Sequence, residues 1–316
     1  MLNRRLIRIK VFKVLYAAET SQAVSLPAAE KELQLSCSKT PDLYYFLLNI
    51  APALKKIAQQ KIDAGKSKFN PSESELNAST RFVDNRFIAR LEEDEVFNET
   101  CRKKGLSWEE YDVFLKQLYA SVVASDYYQE YMAASECTLE DDCRLVSRIY
   151  EEELEDNEML WDILEETSVY WTDDLGFVLN AIIRATGVVA EGGGIQHPGV
   201  FLKDDDREFA IKLLEASAVN YDKYLEVVRE NVPNWDPDRI VRVDSCLVVM
   251  GIAEAVTFPS IPVKVTINEY VDISKFYSTP NSHIFVNGLL DVIIKRMTES
   301  GEVVKQGRGL YDGTNK

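Results

Sequence analysis

The sequence predicts an all-α protein. Most of the chain shows apolar residues at helical spacing, whereas strand patterns are nearly absent. The short β-branched run at 263–267 lies inside a longer pattern that fits a helix begun by Pro262. With 316 residues, 46% of them hydrophobic, the chain is long enough for one large domain or two smaller ones.

The first helix is predicted over residues 2–18. Its apolar stripe consists of Leu6, Val11, Val14 and Leu15. At about 100° per residue, Arg4, Arg5 and Arg8 fall within an arc of about 100° and form one cationic face. Such a face is either a solvated polar surface or a surface for an anionic partner, and periodicity alone does not separate the two.

The middle of the chain is predicted to be a series of helices joined by polar turns. The expected helical segments are 42–64, 81–103, 108–134 and 139–154, with two more helices within 157–186. Pro52 is expected to break the first of them, and 66–79 is a loop by its composition. Capping-box pairs are expected at Ser107 with Glu110 and at Thr138 with Asp141.

A glycine-rich stretch, AEGGGIQHPG at 190–199, is the clearest break in the chain. It lacks the Lys-Ser/Thr pair and the preceding strand of a phosphate-binding loop, so a flexible connector is predicted. One long helix is then expected over 204–231, with acidic residues at its N-terminus, where the helix dipole favours them.

Three further helices are predicted between Trp235 and Ile294. They cover about 237–256, then 262–277, and a last one that Ser282 caps. A glycine at position 288 in mid-helix costs about 1 kcal/mol relative to alanine. Its presence predicts that another helix approaches closely there.

The negative charge is confined to one region. The chain has a net charge of −16, but residues 92–174 hold 25 acidic against 6 basic residues, so that segment alone carries −19. The rest of the chain is therefore at +3, and its first 18 residues contain five basic residues and no acid. A basic N-terminus is thus left free to meet an anionic partner.

Metal, cofactor and membrane chemistry are not expected. The five cysteines are scattered without CxxC spacing and the chain has only two histidines, which argues against a zinc site or a disulfide framework. The N-terminus lacks the continuous apolar stretch of a secretory signal, and the longest apolar runs are far too short to span a membrane. A cytoplasmic protein is expected.

Specific motifs occur in the C-terminal third of the chain and at its N-terminus. IPVKVTINE at 261–269, Lys275 and NSHIFVNGLLD at 281–291 occur in order on predicted helices, and RRLIRIKVFKVLY at 4–16 stands at the other end. Together with 207–228, these residues resemble the NusB family of bacterial transcription antitermination factors.

The resemblance implies a non-enzymatic protein of packed helical bundles without a cofactor. NusB proteins bind the boxA element of ribosomal-operon transcripts as a heterodimer with NusE, a small-subunit ribosomal protein, and act on elongating RNA polymerase. Carried over residue by residue, the resemblance implies RNA contacts at Arg4, Arg5, Arg8, Asn281 and Ser282. It also implies NusE contacts at Tyr16 and Glu254.

The chain departs from the family by a long insertion. The expected NusB-like core is 1–20 with 200–298, interrupted by an acidic helical insert at 21–199 and followed by a flexible tail at 299–316. The insert is expected either to dock a basic partner or to be a structural elaboration.

Two other functions are open at this point. One is a scaffold of the same fold without RNA binding, which the net charge favours and the acid-free N-terminus opposes. The other is an RNA-modifying enzyme with a NusB-like domain, which would need a glycine-rich cofactor loop and a catalytic cysteine near proline. Neither feature is found in the sequence.

Overall fold

The structure, a computed structural model, describes residues 1–21, 25–232 and 241–310. Its regular structure in these ranges is helical and contains no strand, which confirms the all-α prediction. None of the described helices is long and apolar enough to cross a membrane.

The chain divides into two compact units. We call Met1 with Ser38–Val200 the insert unit, and Leu2–Cys37 with Phe201–Lys316 the terminal unit. The boundary between the two units falls inside helix α2, Leu26–Leu48. Residues 25–37 belong to the terminal unit, where the Lys10 ammonium donates to the Ser36 hydroxyl at 3.5 Å.

The insert unit consists of short helices. After α2 they are α3 (Ile50–Lys66), α4 (Glu73–Leu76), α5 (Arg86–Glu93), α6 (Glu95–Lys104), α7 (Asp112–Ala124), α8 (Asp126–Ala133), α9 (Leu139–Glu152), α10 (Glu158–Thr167) and α11 (Leu175–Ala190). Aromatic rings fill much of the core between them. Phe46 stacks on Trp108 and on Trp171, with ring centroids 4.2 and 5.1 Å apart.

The helices of the insert unit are shorter than predicted because polar side chains restart them. The Asp94 carboxylate accepts from the Phe97 amide at 2.7 Å and divides the predicted segment 81–103 into two helices. Ser125 does the same inside 108–134, where its hydroxyl accepts from the Tyr128 amide. The break ascribed to Pro52 lies at Asn49, three residues earlier.

One of the two predicted capping boxes is confirmed. Thr138 and Asp141 exchange both hydrogen bonds at the start of α9. The pair Ser107 and Glu110 does not cap a helix, because α7 begins only at Asp112.

The glycine-rich connector is held by side chains of the insert unit. The Tyr44 hydroxyl donates to the Gln196 carbonyl at 3.2 Å. The His197 ring lies 3.2 Å from both the Tyr45 hydroxyl and the Asp94 carboxylate. The connector therefore has a defined path across this unit.

The terminal unit brings the two ends of the sequence together. Its helices are α1 (Arg4–Ser21), the first part of α2, α12 (Asp206–Val219), α13 (Tyr221–Glu230), α14 (Arg242–Thr257), α15 (Val263–Tyr277) and α16 (Ser282–Glu299). Helix α14 is the central one, because every residue from Asp244 to Ala255 is buried. The predicted start of this helix near 237 lies outside the described residues.

Residues 300–310 pack against the end of α14. The Lys305 ammonium donates to the carbonyls of Ala255 (2.8 Å) and Phe258 (3.0 Å), which caps the C-terminal end of that helix. A side chain at Gly309 would meet the Pro259 carbonyl oxygen at 1.9 Å. Of the predicted flexible tail, only 311–316 lies outside the described residues, and its mobility stays a prediction.

A close helix approach occurs at Gly251 and not at Gly288, so the expectation for Gly288 was wrong. A Cβ at Gly251 would lie 2.6 Å from the side chain of Leu290, which is fully buried. A Cβ at Gly288 would meet nothing within 4 Å. The α14–α16 contact thus requires the glycine on α14.

Alanine substitutions at these glycines should have opposite effects. Gly288→Ala should raise the free energy of unfolding by about 0.5–1 kcal/mol through helix propensity. Gly251→Ala gains the same propensity but forces Leu290 to move in a packed core, at a cost of about 1–3 kcal/mol. Chemical denaturation of both variants measures the difference, and equal stabilities would contradict the close α14–α16 packing.

Candidate functional site

Arg4 lies at the beginning of α1 and is partly exposed. Its guanidinium forms ion pairs with Asp205 at 2.7 Å and with Asp206 at 3.2 Å, at the N-terminus of α12. It also lies 4.8 Å from the centre of the Phe209 ring. Asp205 and Asp206, which were predicted to interact favourably with the helix dipole at the start of α12, therefore also form ion pairs with Arg4.

Arg5 is the most exposed of the three predicted arginines. It pairs with Glu269 at 3.1 Å and with Asp272 at 2.7 Å, both on α15, and its side chain is 45% exposed. The hydrogen bond to Glu269, supported by Asp272, holds the pKa of Arg5 above its ordinary value, although burial acts in the opposite direction.

Arg8 is buried and forms a bidentate ion pair with Glu254. Its Nε and Nη2 atoms donate to the two carboxylate oxygens at 2.7 and 2.8 Å. The same carboxylate accepts from the hydroxyls of Thr266 (2.9 Å) and Tyr270 (3.1 Å). Burial would lower the pKa of Arg8, but the hydrogen bonds and charge of Glu254 and its neighbours outweigh it and raise that pKa.

The three arginines therefore fall into two kinds. Ion pairs at the surface contribute about 0–1 kcal/mol, so Arg5 and the Arg4–Asp205 pair can exchange a carboxylate for another anion at little cost. The second partner of Arg4, Asp206, is 2% exposed and stays within the unit. Breaking a buried pair is costly because it leaves an uncompensated charge. Arg8, which is 3% exposed, and Glu254, which is 0% exposed, are thus held inside the terminal unit.

The predicted RNA-facing role of Arg8 and the partner-facing role of Glu254 stay predictions. In this geometry a direct contact would require Glu254 to leave the four hydrogen bonds it accepts from Arg8, Thr266 and Tyr270. Glu254 can be buried because it is the counter-charge of Arg8.

Asn281 and Ser282 lie at the start of α16. Asn281 is exposed. Ser282 is buried, and its hydroxyl donates to the Asp244 carboxylate of α14 at 2.7 Å. It is the first residue of α16 and does not cap this helix, contrary to the prediction. The other oxygen of Asp244 has no partner among the residues that the structure describes. Ser282 thus fixes the loop that presents Asn281.

Tyr16 is half-buried on α1. Its ring lies 5.9 Å from that of Phe12, which in turn lies 5.5 Å from the Tyr277 ring at the end of α15. The Tyr16 side chain is therefore partly accessible while its ring packs against Phe12. Its partner-binding role stays a prediction.

Phe276 was missed from the sequence. It is 82% exposed and stands one turn after Asp272, the carboxylate that pairs with Arg5. An exposed aromatic ring is a surface on which an unpaired base can stack. The signal was present as an aromatic residue beside Lys275 on the polar side of the α15 pattern.

Comparison with known families and proteins identifies part of the chain. Residues 200–295 match the model of the NusB family, which covers α12 to most of α16 but not α1. The protein described as transcription antitermination protein NusB from Salinibacter ruber is 36% identical over 104 residues, 33% of this chain and 65% of that protein.

Two further proteins of the same description agree with this match. The one from Chloroherpeton thalassium is 34% identical over 106 residues, 34% of this chain and 50% of that protein. The one from Methylacidiphilum infernorum is 39% identical over 94 residues, 30% of this chain and 66% of that protein. The matched part thus spans between half and two thirds of these relatives' length. No solved structure matches the chain.

Removing Arg8 should destabilise the protein far more than removing Arg5. Arg8→Ala leaves Glu254 buried without its counter-charge and should lower the free energy of unfolding by about 3–5 kcal/mol. Arg5→Ala, the matched control on the same helix, should cost less than about 1 kcal/mol. Denaturation curves measure both, and similar losses would contradict the division into buried and exposed arginines.

Proposed function

Because residues 200–295 form a NusB-family domain, we propose that this protein is a transcription antitermination factor. Its ligand is single-stranded boxA-type RNA, which it binds together with the ribosomal protein NusE, in a complex that acts on elongating RNA polymerase. No bond is made or broken by the protein. The observation that carries the proposal is that Arg4 and Arg5 on α1 and the exposed Phe276 on α15 all reach the surface of the unit that contains the family match.

Arg4 and Arg5 are the proposed phosphate contacts. A guanidinium binds phosphate through two parallel hydrogen bonds and also stacks on unpaired bases. Both side chains reach the surface, and their present carboxylate partners are at least partly exposed in the case of Asp205 and Asp272. RNA would therefore replace weak surface ion pairs by charge-assisted bonds to phosphate.

Asn281 and Phe276 are the proposed base contacts. Asn281 stands in the turn before α16 and offers an amide that can donate and accept, without the charge that a carboxylate would set against phosphate. Phe276 offers its ring face for stacking. Arg8 and Ser282 act as positioning residues, because each holds its segment through a buried bond.

Tyr16 is the proposed contact to NusE. Its half-buried ring gives a partner a rigid aromatic anchor, a residue type that is common at the centre of protein interfaces. Glu254 would act there indirectly, because it fixes α1 through Arg8.

A scaffold without RNA binding is the second candidate function. It is favoured by one observation: all three arginines already have carboxylate partners. If these ion pairs were the purpose of the arginines, α1 would need no RNA. An RNA titration separates the two functions.

Loss of the two exposed arginines should weaken RNA binding. The double variant Arg4→Ala, Arg5→Ala should bind a single-stranded boxA-type RNA about tenfold more weakly, since phosphate contacts carry much of the affinity. The dependence of log K on log salt should become less steep by about 0.7 for each phosphate that the protein no longer neutralises. Fluorescence anisotropy at several salt concentrations measures both quantities.

The control removes the same charge elsewhere in the terminal unit. Lys212 and Arg229 are exposed. Among the residues that the structure describes, each forms an ion pair only within its own helix, with Glu208 and Glu226 respectively. The variant Lys212→Ala, Arg229→Ala should keep the affinity and the salt dependence. Equal losses in both double variants, or no RNA binding by the wild-type protein, would refute the proposed RNA surface.

A further inference from the structure

The insert unit has a groove that the NusB-family match does not account for. One wall is the end of α6 with the segment after it, at 104–111, and the other is the end of α10 with the turn after it, at 165–171. The groove has a volume of about 700 Å³. Its apolar surface comes from Phe46, Leu106, Tyr111, Tyr170 and Trp171. The Phe46 ring contacts the rings of Tyr111 and Trp171, so the floor of the groove is part of the packed aromatic core of the unit.

Carboxylates dominate the charge of the groove. Glu109, Glu110, Glu165 and Glu166 line it and are exposed. Glu109 has only a distant partner, Lys56 at 4.0 Å, and the other three form no ion pair within the part of the chain that the structure describes. The negative charge is therefore available to a ligand.

The two cations of the groove share one carboxylate. Lys39 and Lys104 both pair with Asp42, which lies 10% exposed between them. These three groups together carry +1, so the groove with its four glutamates keeps a net charge of −3.

The position of two of these carboxylates is unfavourable for the helix that carries them. Glu165 and Glu166 stand in the last turn of α10, which has no basic residue there. The C-terminal end of a helix is the negative end of its dipole and is destabilised by acidic side chains. Residues that break such a local rule without a structural gain are expected where they serve binding.

The aromatic floor fits the same kind of ligand as the carboxylates. The half-buried rings of Tyr111 and Tyr170 can receive a cation on their faces, and long basic side chains lay their apolar stems along such rings. A hydrogen bond of 3.2 Å between the Tyr111 and Thr167 hydroxyls joins the two walls and sets the width of the groove.

We propose that this groove docks an extended, arginine- and lysine-rich segment of a partner protein. Charge complementarity selects basic segments. The pocket of the same unit that is lined by Tyr127, Tyr131, Glu130 and Glu136 differs from the groove because Arg144 and Arg148 also line it. The same carboxylates repel RNA phosphates. The inference does not depend on the RNA-binding function proposed for the terminal unit.

A labelled peptide of four Arg-Ser repeats tests the groove in the full-length protein. The variant Glu110→Gln, Glu165→Gln, Glu166→Gln should bind it about tenfold more weakly than the wild type, since three attractive charges are removed from the docking surface. The control Glu130→Gln, Glu136→Gln, Glu151→Gln removes three exposed acids of the same unit outside the groove, and should change the affinity less than about twofold.

Hydrogen exchange gives a second measurement that does not depend on the variants. The peptide should protect backbone amides at 104–111 and 165–171 in the wild-type protein. Equal losses in both triple variants would show that the peptide follows net charge alone and would overturn the proposal. Protection confined to other segments, or no binding by the wild type, would overturn it as well.

Discussion

A buried ion pair between Arg8 and Glu254 ties the first helix of the chain to helices from its other end. The two residues are 246 positions apart in sequence, and the pair is completed by hydroxyls from Thr266 and Tyr270 on α15. The Arg8 guanidinium also lies 5.2 Å from the centre of the Phe209 ring on α12. Four helices thus meet at one charge pair, and their register depends on it. A charge this deeply buried is tolerated only when each hydrogen-bonding group is satisfied.

This pair also decides how α1 presents its other cations. With Arg8 turned inward, Arg4 and Arg5 are held at the surface, where they contact α12 and α15 through exchangeable carboxylates. One helix therefore combines a fixed position with two arginines at the surface. A cationic face on a helical wheel contains both the buried arginine and the two surface arginines, and only the packed structure distinguishes one kind from the other.

The sequence predicted the fold class and most helix positions, because apolar periodicity and caps are local signals. Thr138 with Asp141 is such a signal and formed as expected. Residues such as Asp94 and Ser125 were missed, because a polar residue within a periodic segment caps a helix only when packing turns the chain there. The prediction for Gly288 was wrong for a similar reason. A mid-helix glycine marks close packing only if another helix faces it, and in this structure Gly251 is the glycine that faces a neighbouring helix.

The candidate site was predicted in part. Residue types and the family motifs indicated α1 and the start of α16. The burial of Glu254 and Ser282 is set by bonds to residues 246 and 38 positions away, which spacing does not reveal. The exposure of Phe276 is likewise a tertiary property. The acidity of the insert was evident from composition, whereas the aromatic-floored groove required the structure.

Crosslinking of RNA to the full-length protein tests the central claim most directly. A boxA-type RNA that carries 4-thiouridine would be irradiated with the protein, and the crosslinked peptides identified by mass spectrometry. The proposed RNA surface predicts crosslinks within residues 1–21 and 270–285 of the terminal unit. Crosslinks confined to residues 38–200, or none under conditions where the RNA is bound, would contradict it.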